Sequence, residues 1–258
     1  MRLYFKFFAM HFKSAMQYKT SFFCTLIGQF IVSFNVFLGI HFMYARFQTV
    51  KNYSYEDSLL CFAVILLSFS MAEMFVRGFD TFSGMLGNGE FDRILVRPRN
   101  EMLQVLLAKI EFTRLGRILQ AILMFGLVLV RGNVEWNFPR VMTLCFMLIG
   151  GTCLFASMFI IYAALCFFTT ESLEFMNVFT DGAREYGKYP IEIYGKKILF
   201  FCTFFVPYAL VQYYPFLYLT GRRDDAFLIF LPLLACLFLI PAVLLWKVGV
   251  RHFKSTGS

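Results

Sequence analysis

Phe227-Leu-Ile-Phe-Leu-Pro-Leu-Leu-Ala235 is apolar at every position. A strand of a membrane barrel alternates apolar and polar residues, so an unbroken run of this kind reads as a helix. Its surroundings place that helix in lipid. Of 258 residues 59% are hydrophobic and 20% aromatic, and the mean hydropathy of +0.67 lies well beyond that of a soluble domain. A hydrocarbon core of roughly 30 Å takes about 20 apolar residues at about 1.5 Å rise each. Stretches meeting that length are expected near 21–45, 58–79, 103–130, 141–168, 198–219 and 227–246. The third spans only if it begins around Leu103 and keeps Lys109, Glu111 and Arg114 at its wet end. The expected fold is therefore all-α and integral to the membrane, with residues 1–258 forming one domain of six transmembrane helices.

Basic residues flank these stretches unevenly, and positive charge is retained on the cytoplasmic side during insertion. With the N-terminus inside, 18 of the 24 Lys and Arg residues fall on cytoplasmic segments, including Arg184, Lys188, Lys196 and Lys197. Both termini are thus expected in the cytosol, which an even number of spans requires. The net charge of +8 is mostly this bias. Basic residues that flank spans do not form a nucleic-acid patch interleaved with exposed aromatics. The first apolar run starts after about twenty mixed residues and lacks a small-residue cleavage site, so it reads as a retained anchor. The seven cysteines all lie in predicted spans, as small packing residues.

Chemistry-bearing motifs are sparse. His11, His41 and His252 are too scattered for a zinc site or a His-based triad. Gly195-Lys196-Lys197 lacks the preceding glycine spacing of a phosphate loop. The non-membrane stretches are too short to fold a nucleotide-binding domain. The chain reads as a non-enzyme with no cofactor of its own, and energy, if used, reaches it from another subunit.

One segment is charged and rich in turns: Gly84-Met-Leu-Gly-Asn-Gly-Glu-Phe-Asp-Arg-Ile-Leu-Val-Arg-Pro-Arg-Asn-Glu101. Gly84, Gly87, Asn88 and Gly89 break the helix leaving the second span. Glu90 to Val96 then suits about two helical turns, with Glu90 and Asp92 favourable to the dipole in the first turn and Pro98 as the stop. Phe91, Ile94 and Leu95 fall on one stripe. The helix either meets a partner or rests its apolar stripe on lipid headgroups.

Gly89-Glu-Phe-Asp-Arg-Ile-Leu-Val-Arg-Pro98 resembles the Gly-Glu-Leu-Asp-x-x-Leu-x-Arg-Pro segment of type-2 ABC exporter permeases, the six-helix half-permeases of drug and lipid efflux. Tyr189-Pro-Ile-Glu-Ile-Tyr194 and Trp246-Lys-Val-Gly-Val-Arg251 are similar to two further stretches of that family. Arg99-Asn-Glu101 departs from it by being more charged. The resemblance implies that Glu90, Phe91, Asp92, Arg93 and Arg97 lie on or beside a coupling helix seated in a cytosolic ABC ATPase. It also implies two such ATPases, which would bind the ATP and Mg, and a second permease, identical or homologous, to complete the pore. It further implies a bacterial inner-membrane location, an N-terminal elbow helix and an amphipathic, drug- or lipid-like cargo.

Several features carry local expectations. Glu73 and Arg77, four apart near the end of the second span, suit a structural ion pair more than a substrate contact. Gly150-Gly151 permits close helix packing, within the chain or at a subunit seam. Pro207 and Pro215 bend the fifth stretch and free carbonyls that lipid cannot satisfy, favouring a bent or re-entrant outer end. Glu171 to Lys197, with Leu173, Met176 and Phe179 at helical spacing, reads as an interfacial helix, and so does Leu3 to Tyr18. The rival readings are a stand-alone channel, a membrane-embedded enzyme and a structural adaptor.

Overall fold

The computed structural model describes residues 2–131, 134–169 and 174–254, with the side chains of Arg2 and Leu3 left aside. Five helices are long and apolar enough to cross a membrane, or six if one bent pair counts as a span. The long helices form because uninterrupted apolar runs satisfy their own backbone, which lipid requires.

Helix α1 (Arg2–Ala15) passes through a 3-10 turn at Met16–Tyr18 into α2 (Lys19–Arg46). Few residues of α2 are buried, among them Phe22, Ser33, Ile40 and Tyr44. Helix α3 (Tyr55–Asp80) starts from a capping box, in which Ser54 Oγ accepts from the Asp57 amide and Asp57 Oδ2 from the Ser54 amide. Every residue of α3 from Ser58 to Leu66 is buried, and burial resumes from Ser68 to Ser70, so this helix forms the axis of the bundle.

Helices α4 (Phe82–Gly87), α5 (Glu90–Leu95) and α6 (Glu101–Ala108) form the connector. Asn100 caps α6, its Oδ1 accepting from the Leu103 amide at 3.0 Å. Helix α6 climbs back along α3: a Cβ on Gly78 would collide with the Val105 carbonyl oxygen, and the Glu111 amide donates to the Met74 carbonyl at 3.0 Å. The third stretch is therefore broken. Its chain turns extended at Lys109 and resumes through Phe112–Arg114 into α7 (Leu115–Arg131). The break falls on the charged residues: Lys109 reaches water there, while Arg114 turns inward onto Glu73. Gly116 lets α7 lie on α2, since a Cβ there would collide with the Leu26 carbonyl oxygen.

Helix α8 (Phe138–Thr169) runs back beside α3, with Phe155 on Phe69 at 5.0 Å between ring centroids. Gly150 and Gly151 are used inside the chain. A Cβ on Gly150 would collide with the Pro232 carbonyl oxygen, and one on Gly151 would meet Ser68 Oγ at 2.6 Å. Of the two uses expected for this pair, packing within the chain is the one the fold makes of it.

The largest departure from expectation follows α8. Glu171 and Leu173 lie outside the described residues. From the 3-10 turn at Glu174–Val178 the chain passes through α9 (Asp181–Tyr186) to a second such turn at Ile191–Tyr194. It climbs α3 as it goes: Arg184 lies over the Phe69 ring at 5.2 Å, Gly187 lies against Ile65, and Glu192 accepts from Tyr53 Oη at 2.9 Å. Residues 174–194 thus run from mid-bundle to the end opposite the connector, and no single interfacial helix forms there. The stretch 198–219 is correspondingly no straight span. Helix α10 (Lys196–Phe204) and the pair α11 (Tyr208–Gln212) and α12 (Tyr214–Leu219) are bent by 94° about Phe205–Pro207. Both ends of this hairpin return to the loop before α3, where Lys51 Nζ donates to the Ile193 carbonyl at 2.7 Å and Arg222 donates to the Asn52 carbonyl at 2.8 Å. The bend expected from Pro207 and Pro215 is what the backbone adopts, and it falls at Pro207. Lys188, Lys196 and Lys197 consequently sit toward the end opposite the connector, which narrows the charge bias without reversing it.

A 3-10 turn at Ala226–Phe230, α13 (Leu231–Ala235), a further turn at Cys236–Phe238 and α14 (Leu239–His252) complete the bundle. Gly249 allows α14 to close on α8, a Cβ there meeting Phe167 at 2.5 Å.

Candidate functional site

Gly89 has φ +66°, a left-handed conformation that glycine adopts without strain, and it turns the chain from α4 into α5. The turn points Phe91 inward. Its ring is fully buried, 5.2 Å from Phe82, 5.2 Å from Phe167, 6.1 Å from Trp246 and 5.1 Å from Phe253, all edge to face. Phe82 and Trp246 are themselves 5.0 Å apart, and Phe79 is 5.2 Å from Trp246. Such pairs contribute about 0.5–1.5 kcal/mol each beyond their burial. One side chain of the connector therefore touches α4, α8, α14 and the chain after α14 at once. Trp246, singled out in the sequence, is part of this cluster.

The other sequence-predicted residues face outward. Glu90, Arg93 and Arg97 are exposed and Asp92 is half-buried, while Ile94 is buried and Leu95 exposed. The apolar stripe predicted for Phe91, Ile94 and Leu95 is thus divided, two residues packing on the bundle and the third facing out. Gln104 holds the turn that follows α5, donating through Nε2 to the carbonyls of Ile94 at 3.2 Å and Arg99 at 3.1 Å.

Behind the connector lies a buried polar cluster larger than the expected pair. Glu73 Oε1 is 3.2 Å from Arg77 Nη1 and 3.2 Å from Arg114 Nη2, and its Oε2 accepts from Arg117 Nη1 at 2.6 Å. Arg77 also pairs with Asp80, and Arg114 Nη1 donates to Gln29 Oε1 at 2.8 Å. One carboxylate thus joins α3 to the start of α7, and Arg114 carries the cluster on to α2. Arg114 and Arg117 were legible only as flanking charge, because nothing in sequence spacing aligns them with Glu73.

A second set of polar residues escaped the sequence altogether. Buried Gln212 donates through Nε2 to the carbonyls of Gly187 and of Tyr189, the latter at 3.1 Å, and Tyr208 Oη donates to the Phe179 carbonyl. These donors satisfy backbone that the broken path of residues 174–194 leaves open. Among the described residues, no group of three or more His, Cys, Asp or Glu side chains is placed to hold a metal ion.

The arrangement is a bundle with a polar, outward-facing connector rooted by one aromatic ring. No curated protein and no solved structure matches the chain significantly. The sequence model of the ABC-2 family transporter proteins matches residues 30–257. The chain is accordingly a multi-pass membrane transport component and belongs to the ABC-2 family.

Proposed function

We propose that this chain is the permease subunit of an ATP-driven exporter, worked by a separate cytosolic ATPase that grips the connector. The observation carrying the reading is the division of labour across α5. Glu90, Asp92, Arg93 and Arg97 offer a mixed-charge outer face, while Phe91 roots the same short helix in an aromatic cluster shared by α4, α8 and α14. A push on the outer face reaches those helices through packed rings, which deform little. ATP and Mg bind the ATPase, and their contribution is a difference in affinity between two states of the bundle. In this reading both termini and the connector are cytoplasmic, six crossings are made, the fifth ending in residues 174–189, and α1 is an elbow lying along the bacterial inner membrane. Two permeases and two ATPases make the exporter, and its cargo is amphipathic.

The test replaces Asp92 and Arg93 together by alanine in the intact complex. Loss of ATPase co-purification and of cargo export, with the permease still inserted, is the expected result. Unchanged ATPase binding and export would overturn the reading.

A further inference from the structure

We propose that the cavity between α1, the turn after α5 and α6 binds the headgroup of an anionic phospholipid. The cavity holds about 450 Å³, within the range of small-molecule sites. Its polar wall carries Arg93, Arg97 and Arg99 against the single carboxylate of Glu90. None of those three guanidinium groups has an ion-pair or side-chain hydrogen-bond partner among the described residues. Its floor is apolar, built from Phe7, Ile94, Leu103 and Leu107 among others. A ligand matching both walls is negative at one end and greasy at the other.

The frame of the cavity is fixed. His11 Nε2 donates to the Leu107 carbonyl at 2.9 Å, clasping α1 to the end of α6, and Gln104 holds the turn that carries Arg97 and Arg99. Its depth follows from α1, which exposes Phe5, Met10 and Phe12 beside Lys6 and Lys13, the mixture found where headgroups meet acyl chains. Guanidinium groups pair with phosphate oxygens through two parallel hydrogen bonds, and basic pockets at this level of a helical bundle take phosphorylated headgroups. An acidic protein segment would need no such floor, so a lipid fits the two walls together. The phosphate takes the arginines and the start of the acyl chains takes Leu103 and Phe7. The site is tested on the chain without the ATPase. Because Arg93 and Arg97 also belong to the surface proposed for that partner, the variants below avoid them.

The purified full chain is mixed in detergent with dioctanoyl phosphatidylglycerol, dioctanoyl phosphatidylcholine or inorganic phosphate, and retained adducts are counted by native mass spectrometry. Wild type should hold phosphatidylglycerol at least about tenfold more tightly than phosphatidylcholine, whose phosphate is the same but whose choline cation the three arginines repel. Arg99→Glu should weaken it about tenfold by reversing one charge of the wall. Leu103→Trp, which fills the floor and leaves every charge in place, should also lower occupancy. Equal retention of the two lipids, full retention in both variants, or saturation by phosphate alone that excludes the lipid would each overturn the proposal.

Discussion

At the connector end the fastenings are buried: Glu73 is enclosed with three arginines, and Phe91 is fully covered by aromatic rings. At the opposite end the charged fastenings are within reach of water. Glu192 is exposed where it meets Tyr53 and Tyr213, and Arg222 is one third exposed where it meets Asp57. Buried pairs resist separation because either partner alone would be left charged in a medium of low dielectric. Exposed pairs exchange with water at a cost of roughly 0–1 kcal/mol. Pairs placed this way hold the connector end more firmly than the far end.

Removing the centre of the buried end tests that difference most severely. Glu73→Ala leaves Arg77, Arg114 and Arg117 without their shared carboxylate, and breaking such a buried cluster costs about 3–5 kcal/mol. Unfolding in detergent should show a loss of that order, and a loss below about 1 kcal/mol would mean that water screens the cluster. Phe91→Ala should come next, at about 3 kcal/mol for a buried ring. Phe91→Leu should recover most of that stability. If Phe91 transmits motion, the leucine variant should still bind the ATPase and export more slowly, a separation measurable in reconstituted vesicles.

The intermediate case is Gln212, which satisfies backbone carbonyls instead of a charge. Gln212→Leu keeps the volume and leaves the carbonyls of Gly187 and Tyr189 unpaired, at about 1–3 kcal/mol for a buried group. Hydrogen exchange should rise between residues 183 and 194 and stay unchanged in α8, whose backbone is internally bonded. Equal protection in wild type and variant would place the support of that segment elsewhere.

Continuous crossings were legible in the sequence because hydropathy sums over a window, and α2, α3, α8 and the last span obey that sum. The connector was legible through Gly89, the acidic first turn and Pro98, each of which acts locally. The path of residues 174–189 was not, since Ala183, Tyr186 and Gly187 are not apolar enough to stand alone in lipid. It is tolerated only because α3 and the hairpin cover it and Gln212 and Tyr208 supply donors from about 25 residues away. The inward turn of Phe91 was hidden for a related reason: α5 is too short for its apolar stripe to fix which side packs, and Trp246 and Phe253, which settle it, lie at the far end of the chain. The pairing of Arg114 and Arg117 with Glu73 is likewise made by tertiary packing, between residues more than 40 positions apart in the chain.

The smallest effect belongs to Glu192. Hydrogen bonds from Tyr213, at 2.8 Å, and from Tyr53, at 2.9 Å, hold its carboxyl below the usual range. A carboxyl whose folded value is depressed contributes stability that is fully present above its unfolded value, about 4.3, and that fades as pH falls through the folded value. At neutral pH the contact between residues 191–194 and the loop before α3 is therefore intact, and acid on that face loosens it. Lys51, whose ammonium donates to the Ile193 carbonyl, is the place for a reporter, because Lys51→Cys senses the change without removing Glu192 itself. With Glu192 intact, reaction of that thiol with an uncharged disulfide reagent should rise at acid pH relative to the thiol of Arg46→Cys, which controls for the reagent. In Glu192→Gln the amide cannot ionise, so the ratio should be raised at neutral pH already and flat with acid. A ratio that climbs equally in both proteins would assign the acid response to another group and leave the far end held by Arg222 and Asp57.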